Sequence, residues 1–389
     1  MHLLQLELKN EPSNNEGYNV LIRWLKQREM KTSSRSLEKW ILETESEKKK
    51  YPMSVSYHKP MDILGLKQDI VKNFQRKINE RNHDKAKWMI EENLERVSVC
   101  PICGSSTQSS DAIMNLTTTR YVCCRQCQHV YLLKRLTRDA LERYFKSDLN
   151  VNCMYADPAI AQKRIEEVAK PKLNWAIDQY KSRYGEAPES ILDIGSGTGH
   201  FVKAAREYGI TTNGIEINES SIKDCKRLFG FDLFNTNFYE SDLDLTQYDL
   251  ITFWGVLGLV YSPADMLLKA FDCLKHRGKG MVIASVPKWN SFGTSVQNIH
   301  TDTIIRHMNV LGHIHIYSES SLATAFVNAG FSPCGAWYYG MDIYEFLMQL
   351  SYISNTPSLL EKTAQHINPL QMTIDHAGLS DEIALAGTI

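Results

Sequence analysis

Apolar residues over the C-terminal two-thirds of the chain follow two alternating periods. Short runs of strand length occur at residues 190–194, 212–217, 249–254 and 280–286, and that at 249–254 is nearly continuously apolar, as in a central parallel strand. Between them lie stretches with apolar residues three and four apart. One spans residues 170–184 and stops at Gly185. A second begins near His200, presents Phe201, Val202, Ala205 and Tyr208, and stops at Gly209. A third follows Asn218, a good N-cap, and carries Ile222, Cys225 and Leu228 as far as Gly230. Residues 266–274 and 320–329 continue the series. Residues 334–339 and 383–386 supply two final strands, separated by a helical excursion that begins at residue 343. Strand–helix alternation of this kind predicts an α/β fold: a doubly wound, seven-stranded, mostly parallel sheet. Ligands on such sheets bind beyond the carboxyl ends of the strands.

The N-terminal part reads differently. Residues 1–97 are rich in charge and poor in glycine. Ile63, Leu66, Ile70, Phe74 and Ile78 recur at helical spacing and predict a helix over residues 62–96, with a second over 18–30. The run Glu45-Ser46-Glu47-Lys48-Lys49-Lys50 reads as a solvated stretch, and Lys85 to Lys87 as a solvated helix face. We expect three parts: a helical extension (1–97), a cysteine-rich module (98–133) and the α/β domain (134–389). The extension is a candidate partner-docking arm, lid or homodimer element.

Formal net charge is −1 over 389 residues, so no global field points to nucleic acid or an acidic membrane surface. No apolar run is long enough to span a bilayer, and the first residues lack a basic stretch before an apolar core. Nine cysteines, four of them in a metal-like pattern, fit a reducing cytoplasm better than a disulfide scaffold.

Two motifs carry chemistry. Ile191-Leu192-Asp193-Ile194-Gly195-Ser196-Gly197-Thr198-Gly199-His200 runs an apolar strand into a glycine-rich turn and then a helix. A dinucleotide loop would read G-x-G-x-x-G, whereas here position 200 is histidine. A phosphate-cradling loop has no need of Asp193. A loop that holds a cation or a hydroxyl does, and S-adenosylmethionine offers a sulfonium, an amine and a ribose diol. Glu216, at the end of the second strand, can accept two hydrogen bonds from ribose hydroxyls, a device nicotinamide dinucleotide sites share. The second motif pairs Cys100-x-x-Cys103 with Cys124-x-x-Cys127. Two such knuckles about twenty residues apart match a four-thiolate structural zinc site, Zn2+ being the metal that a tetrahedral soft-donor set favours. Cys123 and His129 are alternative ligands by position. The loop 105–115 has no basic residue, which argues against a phosphate-binding surface.

With residues 191–199, Gly214-Ile215-Glu216-Ile217 and Tyr248 to Trp254 in place, the chain resembles the class I S-adenosylmethionine-dependent methyltransferases. Cys124 to Tyr144 and Gly312 to Leu322 resemble a bacterial subgroup with an N-terminal zinc ribbon. Many members of that subgroup act on sugars, sugar nucleotides or other biosynthetic small molecules. The resemblance implies a small-molecule acceptor, with Asp193 toward the methionine amine through the loop or a water. It places Gly195, Gly197 and Gly199 at the backbone approach, Glu216 on the ribose diol, and Ile217 and Trp254 beside the donor. Asn237 and Phe238 fall where the family contacts the adenine edge, although aspartate is commoner at position 237.

Strand four departs from that pattern. The subgroup carries a polar residue after the tryptophan and then a Glu-His pair, whereas this chain has Gly255, Gly258 and Leu259. A general base then has to come from elsewhere. His313, His315 and Tyr317 follow strand five, where the subgroup's acceptor pocket lies, and His313 matches the family histidine. His300 and His307 are weaker candidates in the same insertion. Two other readings stay open: an RNA or protein methyltransferase, and a catalytically silent donor-binding scaffold.

Overall fold

A computed structural model describes residues 20–24, 37–44, 48–116, 118–147, 157–299 and 306–389. Three N-terminal strands, β1 (Val20–Trp24), β2 (Leu37–Thr44) and β3 (Lys48–Tyr57), are followed by helices Ile63–Leu66, Gln68–Lys72 and Phe74–Trp88. A small β module contains β4 (Leu94–Arg96), β5 (Ser110–Asn115), β6 (Arg120–Cys124), β7 (Val130–Leu132) and β8 (Lys134–Leu136). The α/β part then supplies β9 (Ser190–Ile194), β10 (Thr211–Glu216), β11 (Phe234–Asn235), β12 (Leu250–Trp254) and β13 (Met281–Pro287). It ends with β14 (His315–Ile316), β15 (Ser332–Tyr339) and β16 (Glu382–Thr388).

The main sheet runs β1-β2-β3-β15-β16-β13-β12-β9-β10-β11. The five strands β9 to β13 are mutually parallel, and β16 joins β13 antiparallel. Six of the seven strands from β15 to β11 match the segments named from the sequence pattern, and the seventh, β11, is only two residues long. The order turns outward on both sides of β9 and β12, which opens the crevice at their carboxyl ends.

Alternation explains the layering. Ile191, Leu250, Met281 and Ile283 face one side and pack on Leu173, Ile177, Tyr180 and Phe201 of the helices Lys170–Tyr184 and His200–Tyr208. Their neighbours Leu192, Ile251, Val282 and Ala284 face the other side, against Leu267, Ala270, Leu322 and Phe326 of the helices Pro263–Leu274 and Glu319–Asn328. Leu192 is fully buried, so truncation to alanine would cost about 2–5 kcal/mol.

The N-terminal part corrects the sequence reading. The segment expected as a helix over 18–30 contains strand β1, and Lys48 to Lys50 begin β3 rather than a solvated helix face or flexible run. The reason is pairing: β2 lies antiparallel to β3, and β3 adds parallel to β15, so the main sheet has ten strands. Tertiary pairing overrides a weak local helical signal here. The helix expected over 62–96 breaks at Lys67 and at Asn73, whose φ of −123° leaves the helical range, and it ends at Met89. Among the described residues no helix is long and apolar enough to cross a membrane.

The β module is stitched onto the α/β part. Its sheet runs β14-β7-β6-β5, so one strand comes from the distal half of the chain. His315 pairs with Tyr131 and Ile316 with Val130.

Candidate active site

Strand β9 ends in the glycine turn, and each glycine there has its own reason. All three occupy left-handed backbone, with φ of 67° at Gly195, 53° at Gly197 and 78° at Gly199. A Cβ on Gly195 would stand 2.6 Å from Val256 Cγ2, and one on Gly199 2.6 Å from Cys225 Sγ. Nothing lies within 4 Å of a Cβ on Gly197, so this position faces open space. Gly195 and Gly197 line a cavity of about 490 Å³. Gly199 does not line it and serves the packing of the following helix.

The loop is locked to the end of β10. Gly195 N and Ser196 N donate to Ile215 O at 2.8 and 3.1 Å. Glu216 Oε2 accepts from Gly197 N at 2.7 Å, and Oε1 from Ile217 N and Asn218 N at 2.8 and 2.9 Å. A carboxylate has about four lone-pair sites, so three backbone bonds orient Glu216 and leave acceptor capacity toward the cavity. Burial pushes its pKa up, while the three N–H groups pull the other way.

Asp193 lies under the loop. Its Oδ1 accepts from Thr252 Oγ1 at 2.7 Å, and its side chain does not line the cavity. Burial pushes its pKa up to about 7, partly offset by the Thr252 hydrogen bond and by Lys172. Ile217, Asn237, Phe238 and Trp254 all line the cavity. Asn237 Oδ1 already accepts from Tyr239 N at 3.1 Å, and Phe238 packs edge-on to Phe253 with centroids 5.8 Å apart. Trp254 leans on Phe201, carries Lys172 Nζ 4.8 Å from its ring centroid, and has a buried Nε1 with no partner among the described residues.

The same cavity continues to His313. This residue donates its backbone N–H to Asn309 O at 2.8 Å, and its own carbonyl accepts from Tyr121 Oη of β6 at 2.6 Å. Burial, then the neighbouring His307 and Arg306, hold its pKa well below the usual imidazole range, so the ring is neutral near pH 7. A Cβ on Gly258 would meet His313 Cδ2 at 3.0 Å, and Gly258 O accepts from both Ile314 N and His315 N. The glycine that replaces the family's polar group is thus where the 313–315 segment packs in.

His315 and Tyr317 do not reach the cavity, contrary to the expectation. Both are completely buried. His315 Nδ1 lies 3.1 Å from His129 Nε2, and Tyr317 Oη donates to Leu257 O at 3.1 Å. The pairing of β14 with β7 draws them into the seam beneath the β module. His307 does line the cavity, with its ring 5.1 Å from that of His313 and its Nε2 3.4 Å from Asp381 Oδ2. His300 lies outside the described residues. Sequence reasoning also missed Arg81, Tyr239 and Tyr261, which line the cavity without any motif to mark them, and gave no site role to Arg138, which lies in the 124–144 segment of the subgroup resemblance.

Sγ atoms of Cys100, Cys103, Cys124 and Cys127 all lie within 4.8 Å of one another, with Cys100–Cys127 and Cys103–Cys124 each at 3.6 Å. Tetrahedral zinc with bonds near 2.3 Å would hold its sulfurs about 3.8 Å apart, so the donor set fits that ion. Cys123 turns its thiol toward Gln128 Oε1 at 3.8 Å, and His129 turns its ring to His315. Neither alternative ligand joins the cluster.

Residues 163–333 match a family described as a methyltransferase domain. No curated protein matches the sequence. Similar solved structures include a SAM dependent methyltransferase from Archaeoglobus fulgidus, 18% identical over 57% of this chain and 94% of that one, with a TM-score of 0.38. Another is geranyl diphosphate C-methyltransferase from Streptomyces coelicolor, 14% identical over 64% of this chain and 96% of that one, at a TM-score of 0.40. The plantazolicin methyltransferase BamL is 15% identical over 64% and 98%, at a TM-score of 0.37. The matched segment contains the glycine turn, Glu216, Trp254 and His313, set on the strand order described above. Residues 163–333 therefore make up a methyltransferase domain.

Proposed function

We propose that the protein methylates a small biosynthetic acceptor, with a sugar or nucleotide-linked sugar as the class its subgroup resemblance implies. The observation that carries this reading is a single cavity joining the Gly197–Glu216 corner to the neutral ring of His313. S-Adenosylmethionine supplies an electrophilic methyl carbon on a sulfonium. Glu216 and the turn around Gly197 hold the nucleoside end, and Asp193 acts on the donor's amine through the loop. His313 takes the proton of the acceptor nucleophile as the new bond to the methyl carbon forms and the carbon–sulfur bond breaks, leaving S-adenosylhomocysteine.

The division into residues 1–97, 98–133 and 134–389 belongs to the same proposal. Zn2+ on Cys100, Cys103, Cys124 and Cys127 would be structural, because four thiolates close its coordination. Its role would be to hold β6 and β7, and through Tyr121 the carbonyl of His313. A cytoplasmic location is consistent with four reduced thiols.

The test uses methyl-labelled donor and a metabolite extract. We expect label in low-molecular-weight product, with S-adenosylhomocysteine formed in equal amount. Donor binding by calorimetry without any labelled product from metabolite, RNA or protein pools would favour the silent scaffold.

A further inference from the structure

We propose that the acceptor carries an anionic group, a phosphate or a carboxylate, received by Arg81 and Arg138. This inference rests on the methyl-transfer reading of the cavity and names the chemistry of the acceptor's recognition handle.

Four cationic side chains line the cavity: Lys67, Arg81, Arg138 and Arg306. Only two lining residues are acidic, and both are committed. Glu216 is tied by three backbone N–H groups, and Glu142 faces Lys146 at 2.5 Å. Two of the four cations are also committed. Arg306 lies 3.3 Å from Asp381 and 3.2 Å from Glu382, and Lys67 acts on Glu345.

Arg81 and Arg138 are different. Among the described residues neither has a carboxylate within ion-pair distance, yet both are half-buried. Arg138 holds its guanidinium carbon 4.4 Å from the Tyr261 centroid and 5.6 Å from that of Tyr239. Aromatic neighbours give a guanidinium a cation–π contact but no acceptor for its N–H groups, which suit a planar or tetrahedral oxyanion. A cation drawn out of water without a counter-charge is costly, so such a site favours an anion.

Arg138 stands by Tyr239 and Tyr261 on the cavity wall. Arg81 comes from helix Phe74–Trp88 and lies close enough to His313 to add to the lowering of its pKa, after burial, His307 and Arg306. Both arginines come from helices outside the matched methyltransferase segment, and Arg81 brings its charge toward the proposed base.

The experiment uses the full zinc-loaded chain saturated with S-adenosylhomocysteine. Inorganic pyrophosphate and citrate are titrated separately by calorimetry, to tell a phosphate seat from a carboxylate seat. We expect one of them to bind. Arg81→Gln with Arg138→Gln should weaken that binding at least about tenfold, the lower end for hydrogen bonds to charged groups. Affinity for S-adenosylhomocysteine should stay within about twofold of wild type. The two single variants replace the double one if circular dichroism shows it misfolded. Absence of binding by either probe, undiminished binding in the variants, or an equal loss of donor affinity would overturn the assignment.

A second arm splits the metabolite extract on an anion exchanger. Labelled product from the retained fraction supports the seat, and label only from the unretained fraction overturns it. Arginine-dependent probe binding with no labelled product in either fraction would keep the anion seat and reject the methyl-transfer reading.

Discussion

At the donor end of the cavity, the contributing residues all come from one stretch, 193–254, and sit at the carboxyl ends of adjacent parallel strands. Backbone N–H groups make most of the hydrogen bonds there, and the carboxylate that orients them is itself oriented by them. At the acceptor end the contributors are Arg81, Arg138 and residues 306–313, drawn from a helix before the β module, a helix after it and an insertion beyond β13. Side chains dominate that end, and its charges are unevenly paired. The difference shows how the fold divides labour. On the proposed function, a constant donor would be held by local backbone geometry, whereas the acceptor would be selected by long side chains brought from afar.

The largest effect should come from the cysteine cluster, which packs into the main core and, through Tyr121, holds the carbonyl of His313. Cys100→Ser with Cys103→Ser is expected to abolish stoichiometric zinc and to unfold the β module. Binding of a structural zinc is worth on the order of 10 kcal/mol in small zinc modules. Elemental analysis and thermal denaturation measure both. Full zinc retention in this variant would remove the site.

Next in size is Glu216→Ala. It leaves three amide groups without their acceptor and removes the ribose contact, so affinity for S-adenosylhomocysteine should fall by about 100-fold. Glu216→Gln should recover part of that loss, because one oxygen still accepts from the backbone. If Glu216→Ala bound the nucleoside as wild type does, the donor end would have to be placed elsewhere.

His313→Ala sharpens the contrast from the other side. We expect turnover with the true acceptor to drop at least about tenfold while calorimetric donor affinity is unchanged. Unaltered turnover would pass the base to His307, whose ring stands next to it.

The last prediction concerns the pH dependence of stability at the donor end, where ligand affinity and turnover change least. Burial raises the folded-state pKa of Asp193 from the unfolded 3.8 to about 7. Its neutral form is therefore favoured in the native protein. The stability it contributes is present below the unfolded value and is lost as pH rises toward 7. Asp193→Asn should remove that slope, so the wild-type disadvantage between pH 4 and pH 7 is expected to be about 3 kcal/mol in thermal denaturation. Donor should narrow the gap, because its ammonium favours the ionised carboxylate. Parallel stability curves for the two proteins would contradict the assignment.

The donor end was largely legible because its signals are local. A glycine run between an apolar strand and a helix, an acid at each of two strand ends, and cysteines at fixed spacing all act through residues near in sequence. Even so, the glycines read alike in sequence but differ in place: Gly197 faces the cavity and Gly199 packs on Cys225. The acceptor end was legible only at His313. His315 and Tyr317 share its segment, yet strand pairing with β7 buries them under the β module. Arg81 and Arg138 lie on charged helices whose sequences look like ordinary solvated faces.

Taken alone, the order of residues determined the alternation of strands and helices, the donor turn and the thiol cluster, since each follows from backbone periodicity or short-range spacing. Only the tertiary structure decided that three N-terminal strands extend the sheet, that a distal strand completes the cysteine-rich module, and which cations are left without a counter-charge. Those outcomes depend on contacts between segments hundreds of residues apart, and a side chain's charge balance is fixed by what folds against it.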